Sequence, residues 1–527
     1  METSELYKKL KKPSTYGFDV ESVKILQTHI SFVVLTGEYA YKIKKPVNFG
    51  FLDFSTLEKR KFFCEQEIRL NKRLCPEIYI DVVKITRKNN DLKINQEGEI
   101  VEYAVKMKEF PQEKIMINLL QENTIDENVF DEIVIILVDF YKKSNHSKEI
   151  NSYGSVKKIK VNTDENFQQT EPFIDKTITN KQHNFIKKVT NNFLEKRIDT
   201  FENRVNNNHI CDCHGDLHTG NIVVDENVCI FDCIEFNKRF RYSDIASDIG
   251  FLSMDLDFQG FPFYSSYLIN KYVKKSKDAG LYNVLNFYKM YRAFVRGKVN
   301  GFKLNDKHIS NQEKKDTVKV SKKYFDLASY YASLCKLDLG RKRPILFVTT
   351  GLTGTGKTTI AGKIAADYNA LAINTDKTRK EIEGVDIYEK HYDTYNTGMY
   401  SPKKMAIVYD KILEKADKQL KNGRNVVLDG TFKNKELRSK AIKIAEKNDT
   451  NCIFLFCNCP EEEVKKYLEK RIRKKTISDG RWEIYIKQKQ SFEPLNNENY
   501  IEIDISNKSF EYQLKTFKSL LDKVTEV

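Results

Sequence analysis

The chain contains no run of about 18 apolar residues, the length a helix needs to cross a bilayer, so no membrane span is expected. Its first residues, Met1-Glu2-Thr3-Ser4-Glu5, lack a basic-then-apolar pattern, and no secretory leader is expected either. Ten cysteines stand at 64, 75, 211, 213, 229, 233, 335, 452, 457 and 459, with no C-x-x-C pair and no His/Cys cluster at zinc-finger spacing. That argues against a zinc module and for free thiols in a reducing, cytoplasmic compartment. Cys211-Asp212-Cys213-His214 has the letters of a metal site, but alternate cysteines on a strand share one face. Internal repeats and low-complexity tracts are missing as well, which excludes solenoids and disordered arrays.

What is present suits a large globular chain. Its 527 residues suggest three or four units at about 150 residues each. A hydrophobic content of 40% is enough for buried cores. The formal net charge of +15 admits a polyanionic partner, either nucleic acid or ATP. A lysine-rich composition along the whole chain accounts for the same excess.

Residues 18–48 alternate as paired strands, with Ile30, Phe32 and Val34 at period two. Ser55 with Glu58 predicts a capping box opening a charged helix through Arg73. Strands are expected near 78–85, 92–94 and 102–107, and helices at 126–144 and 180–200. Residues 145–175 read as an irregular insertion. Residues 209–236 read as short strands and turns, and about 263–336 as helical. Leu337 to Pro344, with Gly340 and a basic run, is the clearest boundary; beyond it strands and helices alternate.

Beyond the boundary stands Gly351-Leu352-Thr353-Gly354-Thr355-Gly356-Lys357-Thr358, spelling G-x-x-x-x-G-K-T. Glycines let successive N–H groups converge on a polyphosphate without a Cβ in the way. Gly351, Gly354, Thr355, Gly356, Lys357, Thr358 and Thr359 are the candidate ATP-binding residues, with Thr358 also a Mg²⁺ ligand. The apolar run Ile345–Val348 leads in as a strand, and a helical pattern leads out.

A second constellation lies upstream. His214-Gly215-Asp216-Leu217-His218-Thr219-Gly220-Asn221 is followed by a short hairpin and an apolar strand ending at Asp232. The pattern H-G-D-x-x-x-x-N with a second Asp sixteen residues on resembles the aminoglycoside phosphotransferase branch of the protein-kinase-like fold. The resemblance implies Asp216 as the base for an attacking hydroxyl, and Asn221 and Asp232 as metal ligands. His214 would brace the loop. Ala40-Tyr41-Lys42 resembles the strand whose lysine meets ATP phosphates, with Lys44 as the alternative on the same face. Glu67 would be its helix partner. No G-x-G-x-x-G precedes that strand. Tyr41–Pro46, Phe49–Leu57 and Tyr291–Arg296 narrow the likeness to uncharacterised members fused to a P-loop kinase.

In the C-terminal part, Asp376 and Arg379 in Asp376-Lys377-Thr378-Arg379 resemble the D-x-x-R of small-molecule and polynucleotide P-loop kinases. That likeness implies acceptor activation by Asp376 and acceptor binding by Arg379. Ser478-Asp479-Gly480 with Trp482 and Gln488 resembles the pattern of a family that includes zeta-toxin-like and polynucleotide-kinase-like proteins. Asp429 ends an apolar strand and resembles the Walker B metal ligand. Arg471, with Arg473 second, resembles a lid arginine.

The expected fold is an α+β protein-kinase-like N-terminal domain, 1–338, joined to an α/β P-loop kinase domain with a central parallel sheet, 341–527. The first would have a small lobe at about 1–110 and a large lobe at about 111–338. The expected function is bifunctional transfer of the ATP γ-phosphoryl group to hydroxyl acceptors with Mg²⁺. The alternatives are a nucleic-acid 5′-hydroxyl kinase and an ATP-dependent switch without a phosphorylated product.

Overall fold

A computed structural model describes residues 3–306, 309–340, 343–386, Glu389, 396–472 and 479–525, with the side chains of 3–4 and 470–472 excepted. The chain forms two compact units, 1–159 with 199–252, and 160–198 with 253–527. The divisions fall inside helices Val156–Thr170, Ile198–Asn206 and Ile245–Phe258. Among the described residues no helix is long and apolar enough to cross a membrane.

The first unit is built on a six-stranded antiparallel sheet. Its order is Lys24–Gln27, Ser31–Leu35, Tyr39–Lys44, Glu99–Lys108, Tyr79–Lys88, Asp91–Ile94. Val34, Tyr41, Ile43, Val83, Ile85 and Ala104 fill one apolar face. Helix Leu57–Asn71 packs against this sheet with Cys64, Glu67, Leu70 and Asn71 buried. Its cap is Thr56, which accepts the Lys59 N–H, so the capping box expected from Ser55 does not form. The Ser55 hydroxyl instead donates to Asp53 at 2.6 Å. Arg60 fixes the helix to the sheet, reaching both Glu102 oxygens at 2.9 Å.

The rest of this unit holds helix Glu127–Lys143, strand pair Ile210–Asp212 with Tyr242–Asp244, and hairpin Ile222–Val224 with Val228–Ile230. Residues 145–175 are not irregular: Lys148–Ser152 and Val156–Thr170 are helices. The buried positions of the second are Ile159, Thr163, Asn166, Phe167 and Thr170. Helical spacing is there, but three of the five side chains are polar, so the hydrophobic pattern is hidden. The expectation of free thiols fails at one pair, since Cys75 and Cys229, 154 residues apart, form a disulfide.

The second unit contains a five-stranded parallel sheet in the order Leu371–Asn374, Val426–Asp429, Ile345–Thr350, Asn451–Asn458, Tyr500–Asp504. The central strand is buried at every position, as a parallel sheet covered on both faces requires. Helices Asn180–Lys196, Pro262–Ser276, Tyr282–Gly301 and Asn311–Gly340 fall in the same unit as the sheet. Helix Lys357–Asp367 joins them through Lys363 and Asp367, which meet Asp257 and Lys289 out of contact with water.

Candidate functional sites

In the second unit, strand Ile345–Thr350 delivers the chain to Gly351, whose φ is 133°. A Cβ there would lie 2.4 Å from the Cys457 carbonyl oxygen, so only glycine fits. Helix Lys357–Asp367 begins directly after Gly356, which puts Lys357 and Thr358 in its first turn at the positive end of the helix dipole. Lys357 Nζ donates to the Leu352 carbonyl at 2.6 Å, and the Thr355 hydroxyl donates to the same oxygen at 2.9 Å. The Thr359 N–H donates to the Gly356 carbonyl at 3.0 Å. Gln488 Oε1 accepts the Thr353 N–H at 2.8 Å and supports the loop from a later helix, Trp482–Gln490.

Asp429 ends its strand beside this loop. Burial raises its carboxyl above the usual range, while hydrogen bonds from Thr358 and Asn374 and the nearby Lys357 charge oppose the rise. Asp376 is the second residue of helix Thr375–Glu383, which Asn374 caps. Arg379 is buried behind it. One guanidinium nitrogen donates to Asp376 Oδ1 at 2.8 Å and another to the Tyr400 hydroxyl at 2.8 Å. Tyr400 in turn donates to Asp479 at 2.7 Å. This arrangement orients the Asp376 carboxylate. Arg471 is the penultimate residue of helix Glu461–Ile472; its side chain, and all of Arg473 and Ser478, lie outside the described residues.

In the first unit, Lys42 Nζ lies 2.8 Å from Glu67 Oε1 and 2.5 Å from Asp232 Oδ1. Lys44 Nζ lies 2.7 Å from Glu67 Oε2 and also pairs with Glu235. Burial alone would raise the Glu67 carboxyl, but the two lysines outweigh it and hold the pKa down to about 2. Asp232 takes a positive φ of 63°, and its N–H donates to the Tyr79 hydroxyl at 3.2 Å. The Phe231 N–H donates to the Asn221 carbonyl at 3.0 Å, which ties the metal-ligand candidates together.

Asp216 sits on the loop before the hairpin. Asn221 Nδ2 donates to its carbonyl at 3.0 Å and to its carboxylate at 3.3 Å. His214 is buried: Nδ1 accepts the Asp216 N–H at 3.2 Å, so Nε2 carries the proton toward the Phe231 carbonyl at 3.0 Å. Burial lowers the His214 pKa, keeping the ring neutral in this bracing role. Asp248 holds the same loop by accepting the His214 and Gly215 N–H groups at 2.7 and 2.9 Å.

Sequence reasoning missed Asp248, Glu235, Asn374 and Tyr400, and it placed Asp479 in a family pattern without its contact to Tyr400. Glu235 had a signal, since it lies three residues after Asp232 in an apolar stretch where a carboxylate needs a partner. Asn374 had one too, as a cap-type residue before a helix. Asp248 had none.

Comparison with known proteins bears on both units. The family description "AAA domain" matches residues 346–495, a span that holds the glycine loop, Asp376 and Asp429. The chain thus carries a P-loop domain of the AAA type at its C-terminal end. The uncharacterised protein Rv2004c of Mycobacterium tuberculosis is 27% identical over 442 residues, covering 84% of each chain. A counterpart from Mycobacterium bovis gives the same figures. Among solved structures, a gluconokinase from Sinorhizobium meliloti 1021 is 18% identical, with a TM-score of 0.26 over 35% of this chain and 96% of its own. The Mycobacterium tuberculosis APS kinase CysC, in complex with AMPPNP and APS, is 17% identical, with a TM-score of 0.26 over 34% of this chain and 99% of its own.

Proposed function

We propose that the chain is a bifunctional ATP-dependent phosphotransferase with one transfer centre in each part, 1–338 and 341–527, working in the cytoplasm. The observation that supports this is the same in both units. Each gathers a carboxylate for the acceptor hydroxyl, hard oxygen donors for a divalent cation, and a lysine for phosphate. We read 1–338 as protein-kinase-like, of the aminoglycoside phosphotransferase type, and 341–527 as a P-loop kinase.

Asp216 and Asp376 are the bases. Each takes the proton of an acceptor hydroxyl as its oxygen bonds to the γ-phosphorus, the bond to the β–γ bridging oxygen breaks, and ADP leaves. Lys42 and Lys357 bind phosphate oxygens, and the N–H groups of the glycine loop add a cradle at the second centre. Asn221 with Asp232, and Thr358 with Asp429, are oxygen donor sets of the kind Mg²⁺ takes, and they would hold it. Bound there, the ion would shield the phosphate charge. Arg379 orients Asp376, and Arg471 is the candidate lid cation.

The test is transfer from γ-labelled ATP to a metabolite extract by the wild type, Asp216→Ala and Lys357→Ala. Each variant should remove one set of labelled products and leave the other. If Asp216→Ala changes no product, the first centre is not a phosphotransferase. Labelling of 5′-hydroxyl oligonucleotides alone would move the acceptor to nucleic acid, and binding of ATP without any product would leave only the switch.

A further inference from the structure

Lys42 and Lys44 are two residues apart on strand Tyr39–Lys44, so their side chains leave the same face. Either could meet phosphate on sequence grounds. Glu67, fully buried on helix Leu57–Asn71, contacts both: Oε1 with Lys42 at 2.8 Å and Oε2 with Lys44 at 2.7 Å. The second partners separate them. Lys42 reaches Asp232, whose side chain is 42% exposed. Lys44 is 2% exposed and reaches Glu235, itself 5% exposed. Lys44 also lies 4.8 Å from the ring centroid of Phe54.

The charges sort the same way. Lys42, Lys44, Glu67 and Glu235 sum to zero; Lys44, Glu67 and Glu235 are shielded from water and Lys42 is 14% exposed. Asp232 is the surplus negative charge and the one that faces solvent. We infer that Lys42 is the lysine that exchanges Asp232 for nucleotide phosphate, while Lys44 and Glu235 form a second, permanent bridge that holds Glu67 in place through that exchange. This rests on the phosphotransferase reading of the first unit. Were Lys42 the sole cation on Glu67, its move toward phosphate would strip a buried carboxylate of its partner, which is costly. With Lys44 fixed, Glu67 stays paired and helix Leu57–Asn71 stays docked whether or not nucleotide is bound. Lys44 and Glu235 are therefore positioning residues.

The experiment uses the full chain carrying Lys357→Ala, and follows Asp216-dependent transfer as kcat and KM for ATP. Lys42→Met should lower kcat about 100-fold or more. Lys44→Met should act chiefly on KM, raising it roughly 5–10-fold with a smaller loss of kcat. Adding Glu235→Leu to Lys44→Met should recover part of that loss, because it removes the carboxylate left unpaired. If Lys44→Met does not fold, Glu235→Gln carries the test: kcat should stay near the parent value and KM rise about 2–5-fold. A kcat loss for Lys44→Met or Glu235→Gln equal to that of Lys42→Met overturns the brace. So does a double variant no better than Lys44→Met alone. A parent showing neither ATP binding nor transfer at the first centre overturns the phosphotransferase reading, and the inference with it.

Discussion

Lys289 and Asp257 meet at 2.6 Å with both side chains shut off from solvent. Around them, Lys363 lies 2.6 Å from Asp367 and 3.8 Å from Asp257. The Tyr330 hydroxyl donates to Asp367 at 3.0 Å, and the Tyr331 hydroxyl donates to Asp257. Two cations and two anions balance, so removing one leaves a buried charge uncompensated. Lys289→Met is expected to destabilise the second unit by about 3–5 kcal/mol. The chain's single tryptophan, Trp482, lies in this unit and reports its unfolding in urea. An unchanged urea midpoint would show that Lys289 carries no structural charge.

Gly351 gives a sharper local prediction. Gly351→Ala would force a Cβ against the Cys457 carbonyl and an L residue to φ 133°. The loop should lose its shape at a cost of about 2 kcal/mol or more. In a thermal-shift titration the wild type is expected to show an ATP-dependent rise in Tm at the second centre, and the variant to lose it. A preserved rise would mean that the loop can reshape around the methyl group.

Asp248→Ala tests whether the first centre depends on its buried anchor. It leaves the His214 and Gly215 N–H groups without their acceptor, at about 1–3 kcal/mol for each buried donor. Transfer that depends on Asp216 should fall at least about tenfold, while transfer that depends on Lys357 stays within about twofold of the wild type. Equal loss at both centres would point to general unfolding.

Acid stability follows from Glu67. Its folded pKa of about 2 lies below the ordinary carboxyl value of 4.5, so the unfolded chain binds its proton first. The stabilisation is therefore complete above pH 4.5 and is lost as pH falls from there toward 2. Near-UV circular dichroism of the first unit's tyrosines should show the unfolding midpoint dropping across that window. In Glu67→Gln the drop should be smaller.

The sequence made the strand–loop–helix around Gly351–Thr358 legible because its letters are dictated by backbone geometry: glycines at positive φ and a lysine at the helix start. The His214–Asn221 loop was legible for a related reason, since its side chains fold back on their own backbone. Partners supplied from far along the chain were not. Asp248 stands on an apolar helix with no local sign of what it caps. Gln488 reaches Thr353 across 135 positions, and Cys75 finds Cys229 across 154. Helix Val156–Thr170 escaped because its buried stripe is largely polar.

Helix Asn180–Lys196 has a consequence for synthesis. It precedes the His214–Asn221 loop of the first unit in sequence but belongs to the second compact unit. There Gln182 donates to Asp326 at 2.7 Å, and Phe193 stacks on Phe287 at 5.2 Å between centroids. At roughly 5–20 residues per second, a ribosome exposes this helix several seconds before Phe287 and Asp326 exist. Residues 199–252 can meanwhile complete the first unit, since all its parts have by then emerged. Until Phe287 emerges Phe193 lacks its stacking partner, a nascent-chain interval in which chaperone capture would fall on 180–196.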